Sequence, residues 1–196
     1  MPSPSPLKQG DEVAFLAPAS PQASGTEAWL HQAEALLNSW GLILKQVPVF
    51  QPTTPSYLAA PDEARAESFR EAWEDPSIRA IFTTRGGYGS VRMLPYLEQK
   101  PLSPQEKWLV GFSDITTLFL YLESLHMAEG CLYAPGLATS LLWNIPEAAK
   151  NQSFLHHQLF SASSQQDSWK GDTARCLKPG NTQPATITGG CLSLII

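Results

Sequence analysis

Short apolar runs alternate with segments of helical periodicity through the first 130 residues of the chain, and few folds accept that alternation. The runs are Glu12 to Ala17, Leu42 to Val47, Ile78 to Thr84 and Trp108 to Phe112, each bounded by turn or loop residues. Between them, residues Thr26 to Trp40 place Trp29, Ala33, Leu36, Leu37 and Trp40 on one helical face, and Gly41 stops the helix. Pro61 opens a second helix with Asp62 and Glu63 in its first turn and Ala66, Phe69, Ala72 and Trp73 on its buried face; Asp75-Pro76 ends it. A short helix ends near Leu97, and after Ser113 the residues Ile115, Leu118, Phe119, Leu122 and Leu125 recur at helical spacing. Strands and helices in this order build βαβ units. The expected fold class is therefore α/β, a mostly parallel sheet with helices on both faces.

The four prolines between Pro48 and Pro61 predict an irregular loop. Beyond Gly130 the pattern weakens. A helix is expected from Pro146 to Phe160, and the polar tract Ser161 to Ser168 reads as a linker. Thr173 to Leu177 and Ala185 to Thr188 suggest short strands of a different element. The expected organisation is one domain over residues 1–160, a linker over 161–170, and the incomplete start of a second domain over 171–196.

Composition removes several function classes. A net charge of −5, with the thirteen Lys and Arg scattered, argues against nucleic acid as a partner, since that affinity rests on clustered cations. Cys131, Cys176 and Cys191 form no C-x-x-C pair, so neither a zinc site nor a disulfide framework is expected, and a reducing compartment fits. Residues Met1 to Pro6 show no basic and apolar leader, and no apolar stretch approaches the ~20 residues of a spanning helix. A soluble cytoplasmic protein without a membrane partner is expected.

Two turns carry the chemistry. Ser113 stands where the run Trp108 to Phe112 gives way to a helix, at the positive end of the helix dipole. A hydroxyl there serves either as a nucleophile or, with Asp114, as an N-cap. The hydrolase elbow G-x-S-x-G is only partly met, because Ile115 replaces its last glycine. The second turn is Arg85-Gly-Gly-Tyr-Gly89, which matches neither G-x-G-x-x-G nor a P-loop. Its glycines either satisfy turn sterics or let the backbone present N–H donors to a ligand. Both turns lie at carboxyl ends of strands, where ligands of such sheets bind. Together, a hydroxyl and pliable N–H donors are the parts of an acyl-transfer site, with the Asp114 N–H as a second oxyanion donor. The missing part is a base. His31, His126, His156 and His157 have no motif that favours them and read as structural.

At these residues the chain resembles the LD-carboxypeptidase family, serine peptidases of the S66 type. This family includes muramoyltetrapeptide carboxypeptidases and microcin C self-immunity peptidases. The matching segments, in order, are Gly10-Asp-Glu-Val-Ala14 with Ala17-Pro-Ala-Ser20, Asp75-Pro-Ser-Ile-Arg-Ala80, Arg85-Gly-Gly-Tyr-Gly89, Gly111-Phe-Ser-Asp-Ile-Thr116 and Gly189-Gly190. The resemblance implies a Rossmann-like N-terminal domain followed by a smaller C-terminal domain, and a Ser-His-Glu triad with Ser113 as nucleophile. It further implies an oxyanion or substrate-binding site at Gly86, Gly87 and Asp114, with no metal or cofactor. The implied activity is removal of the terminal D-alanine from a murein tetrapeptide during cell-wall recycling, by an enzyme that is commonly a homodimer. The family's histidine and glutamate belong to the C-terminal domain and map to no residue here. Cys191 stands where the family more often has asparagine. The 196 residues alone are expected to be inactive. The alternatives are a non-catalytic peptide-binding relative and a microcin C-type immunity peptidase.

Overall fold

The computed structural model describes residues 3–48, 50–51 and 57–161. Most of the expected linker, the strands at Thr173 to Leu177 and Ala185 to Thr188, and the Gly189-Gly190 segment lie outside the described residues, as does much of the Pro48 to Pro61 loop.

Five strands form one parallel sheet: β1 (Glu12–Leu16), β2 (Ile43–Gln46), β3 (Ile78–Thr83), β4 (Trp108–Gly111) and β5 (Cys131–Tyr133), in the order β2-β1-β3-β4-β5. Every neighbouring pair is parallel, with Val13 opposite Leu44, Phe15 opposite Phe82 and Val110 opposite Leu132. The helices are α1 (Ala28–Ser39), α2 (Asp62–Glu74), α3 (Leu94–Gln99), α4 (Thr116–Ser124), α5 (Ser140–Trp143) and α6 (Ala148–Phe160).

The period of two along each strand sends alternate side chains to opposite faces, and the two faces bury separate cores. Ala14, Leu16, Ile81 and Leu109 pack with Phe69 and Trp73 of α2, Leu97 of α3, and Leu118 and Leu122 of α4. Val13, Phe15, Ala80, Phe82 and Val110 pack with Ala33 and Leu37 of α1, Leu142 of α5, and Leu155 and Leu159 of α6. Burial on both faces explains why these strands read as continuous apolar runs rather than as alternating ones.

The structure departs from the expectations in four places. β5 falls where the pattern weakens, because three residues at a sheet edge carry no readable period. α5 is a single turn and was invisible for the same reason. On α1 only Ala33 and Leu37 are buried, while Trp29, Leu36 and Trp40 are half-buried at its flanks. Finally, neither Ser113 nor Asp114 caps α4: no side-chain cap bond is made at either the helical turn Ser113–Ile115 or the helix behind it. The Asp114 carboxylate instead accepts the Ser90 N–H at 2.8 Å, and Ser113 leaves the extended region that a cap occupies.

At the amino-terminal rim, Lys45 Nζ lies 3.1 Å from Glu12 and 2.9 Å from Asp75, and its ammonium holds the Asp75 carboxyl down at about 2. All three side chains are partly exposed, so this pairing adds little to stability. The opposite rim carries the site.

Candidate active site

Between β1 and β3 the chain switches direction across the sheet, since β2 lies on one side of β1 and all later strands on the other. Ligands of open parallel sheets bind at such a switch, outside the carboxyl ends of the strands. The loops after β1, β3, β4 and β5 meet there.

Ser113 follows β4 with φ 56°, one of two non-glycine residues with positive φ among the described residues. A serine held in this left-handed region costs about 1–2 kcal/mol against an ordinary conformation. The strain turns its side chain at the sharp corner between strand and helix, as a nucleophile elbow requires. Its backbone N–H donates to the Tyr133 hydroxyl at the end of β5, at 3.2 Å. Its Oγ has no hydrogen-bond partner among the described residues, so the hydroxyl is not committed to the fold.

The glycine turn after β3 packs directly against this serine. A Cβ on Gly86 would lie 2.9 Å from Ser113 Cβ and 3.2 Å from Oγ, so no larger residue fits. Gly87 takes φ +111°, and a Cβ there would come within 2.6 Å of Ser20 Cβ, on the loop after β1. Ser20 Oγ in turn accepts the Tyr88 N–H at 3.1 Å, which fixes the turn against that loop. The Gly87 N–H meets no acceptor among the described residues. Of the four residues expected at the site, the structure brings Gly86, Gly87 and Ser113 together at one cleft, while Asp114 follows Ser113 in the chain and is not among the residues that line it. The Asp114 side chain is buried on Ser90 and faces away from this role.

A cleft of about 560 Å³ opens in front of these groups, within the range of small-molecule and peptide pockets. Beside Gly86, Gly87 and Ser113 it is lined by Gln22, Trp29, Arg85, Thr139 and Leu141, among others. Gln22 Nε2 is held by the Thr26 and Ala138 carbonyls at 3.1 Å each, which locks the β1–α1 loop to the segment after β5. None of the four histidines lines the cleft. His31 is exposed on α1, His156 stacks on Phe160 beside Trp40, His157 pairs with Ser161 Oγ, and His126 ends the helical segment that follows Ser113. Sequence reading missed Tyr133, Gln22, Trp29 and Thr139. Ser20 was visible only within Ala17-Pro-Ala-Ser20, and Tyr133 sits on the strand that no periodicity revealed.

No group of three or more His, Cys, Asp or Glu among the described residues is arranged to hold a metal ion, and no described helix is long and apolar enough to cross a membrane.

The sequence model of the LD-carboxypeptidase N-terminal domain matches residues 13–130, more than half of the chain. The chain belongs to the LD-carboxypeptidase family. A Streptomyces coelicolor protein that carries a carboxypeptidase name is 33% identical over 98% of this chain and 60% of its own length. The murein tetrapeptide carboxypeptidase of Pseudomonas aeruginosa is 36% identical over 54% of this chain and 34% of its own. Among solved structures, the microcin C7 self-immunity protein in its wild-type apo state matches with a TM-score of 0.65 at 20% identity, covering 92% of this chain and 57% of that one. At that identity the likeness shows a shared α/β fold. The chain spans 60% or less of the length of these curated relatives.

Proposed function

We propose that this chain supplies the nucleophile half of a serine-type LD-carboxypeptidase that removes the terminal D-alanine from a murein tetrapeptide. The observation that carries the reading is Ser113 at φ 56°, with its free hydroxyl packed against the Gly86 backbone. Residues 1–160 form the nucleophile domain, 161–170 the linker, and 171–196 the start of a smaller domain that supplies histidine and glutamate. Recycling of murein peptides puts the enzyme in the cytoplasm.

In this reading Ser113 Oγ attacks the carbonyl of the amide between an L- and a D-residue as the histidine takes its proton. The negative charge that develops on the carbonyl oxygen is held by the Gly87 and Asp114 N–H groups. The histidine then protonates the departing D-alanine amine, and water hydrolyses the acyl-serine ester. Neither a metal nor a cofactor takes part.

The test is release of D-alanine from L-Ala-D-Glu-meso-diaminopimelate-D-Ala by the full-length protein, with acid quenching and peptide mass spectrometry to locate the acyl group. Turnover with an adduct on Ser113 is expected. Tetrapeptide binding without any release would instead favour a peptide-binding relative, and release without a Ser113 adduct would remove the serine mechanism.

Gly87→Ala tests the oxyanion donor separately. The new methyl meets Ser20 and strains a positive φ, so the turn must shift and its N–H with it. Turnover is expected to fall by about 10²–10³, the usual cost of one oxyanion donor. The effect should appear mainly in kcat, because the donor acts on charge that develops only in the transition state. A loss confined to KM would mean that the turn merely shapes the pocket.

A further inference from the structure

Arg85 is the one charged residue among the described residues that line the cleft in front of Ser113. Its Nη1 makes a single long contact, 3.4 Å, to the Pro21 carbonyl, and it pairs with no carboxylate among the described residues. Three other arginines behave differently, since Arg65 and Arg92 both hold Asp62 and Arg70 holds Glu67, and Arg79 on β3 does not line the cleft. The remaining lining is neutral, with Gln22, Thr26, Thr139 and Ser140 offering hydrogen bonds and Trp29 and Leu141 apolar surface. A half-buried guanidinium without an anion, facing a neutral cleft, is matched by a carboxylate, which its planar fork binds through two parallel hydrogen bonds.

The placement also suits a substrate end. Arg85 immediately precedes Gly86, whose missing Cβ would sit 3.2 Å from Ser113 Oγ. The backbone that carries the guanidinium is held firmly, since the Thr84 carbonyl accepts the Ala138 N–H and the Thr84 N–H donates to the Leu16 carbonyl, at 2.9 and 2.8 Å. A carboxypeptidase must find a negative charge about one residue, ~3.5 Å of chain, beyond the attacked carbonyl. An internal peptide bond offers no charge at that distance.

We infer that Arg85 binds the free α-carboxylate of the departing residue and so makes the site select chain ends over internal amides. This role rests on the carboxypeptidase reading above, and the experiment separates the two. Hydrolysis of the murein tetrapeptide and of the same peptide ending in D-alaninamide is measured with the full-length protein, its Arg85→Gln and Arg85→Lys variants, while binding of both peptides to Ser113→Ala, with and without Arg85→Gln, is followed by calorimetry.

The free acid is expected to exceed the amide by about 10²-fold in kcat/KM, as for a desolvated charge pair. Arg85→Gln brings that ratio close to one, chiefly through a higher KM for the acid, and Arg85→Lys keeps part of the preference because the charge remains without the fork. A preference that survives Arg85→Gln, or a wild-type protein indifferent to the carboxylate, overturns the assignment. If no D-alanine is released at all, the peptidase reading falls and calorimetry decides alone. Tighter binding of the acid that vanishes with Arg85→Gln supports the carboxylate site; equal or absent binding refutes it.

Discussion

Replacing Ser113 by alanine is expected to reduce D-alanine release by the full-length protein by roughly 10⁴–10⁶ while tetrapeptide binding persists, as when a serine nucleophile is removed from a pre-formed site. The fold should hardly notice. Ser113 Oγ has no partner among the described residues, and the residue's hydrogen bonds are made by its backbone, whose N–H donates to Tyr133 at 3.2 Å and whose carbonyl accepts the Thr116 N–H. Residual turnover within tenfold of wild type would place the nucleophile elsewhere. Ser113→Gly sharpens the test, because it removes the same hydroxyl and also the Cβ that makes φ 56° costly. Relief of the left-handed strain is worth about 1–2 kcal/mol, and the added freedom of glycine in the unfolded chain takes back about 0.5–1. Ser113→Gly should therefore be about 0.5–1 kcal/mol more stable than Ser113→Ala in urea unfolding, with both inactive. Equal stabilities would mean that the elbow is not strained and that its geometry has another cause.

That strain marks the boundary of what could be read from the sequence. β1, β3 and β4 were legible because burial on both faces leaves an uninterrupted apolar run, the half-exposed edge strand β2 only as a short run after Gly41, and α2 and α4 because their apolar residues keep helical spacing. β5 was not, since Cys131-Leu-Tyr133 gains its strand character from pairing with β4 rather than from its own pattern. The site divided in the same way. Ser113 and the glycine turn could be placed at strand ends from local sequence alone, and the turn's contact with Ser113 then follows from the parallel neighbours β3 and β4. Whether Ser113 was a cap or an elbow could not be read, because both begin with a serine before a helix. The alternatives separate only when Asp114 is seen to reach Ser90 and Ser113 to take a positive φ. Tyr133, Gln22 and Ser20 join the site through contacts between loops far apart in sequence, for which no spacing rule exists. The same holds for Arg65, which sits on the apolar face of α2 where the sequence shows only a charged residue beside Ala66.

Arg65→Met is expected to destabilise the protein by about 3–5 kcal/mol, the usual cost of removing one partner from a buried charged cluster. The Arg65 side chain is 1% exposed, and its guanidinium ties together three loops at the carboxyl rim. Nε donates to the Ala60 carbonyl and Nη1 to the carbonyls of Pro18 and Gly89, while Nη2 binds Asp62. Methionine fills much of the volume but leaves the Ala60 and Pro18 carbonyls without a donor, each costing about 1–3 kcal/mol when unsatisfied, while the Gly89 carbonyl keeps the Arg92 N–H at 3.1 Å. Asp62 keeps Arg92, so its own charge is not stranded and the loss stays below the sum of those parts. Arg65→Lys should fall between the two proteins, because one ammonium replaces the charge but cannot reach every carbonyl that the fork spans. The loops released are the one that carries Ser20 and the one that carries Gly87. Amide exchange at Tyr88, whose N–H is held by Ser20 Oγ, should therefore quicken in Arg65→Lys even where the sheet stays protected. An Arg65→Met protein within 1 kcal/mol of wild type in urea, or a Tyr88 amide that exchanges no faster in Arg65→Lys, would show that the catalytic turns hold their positions without this clamp.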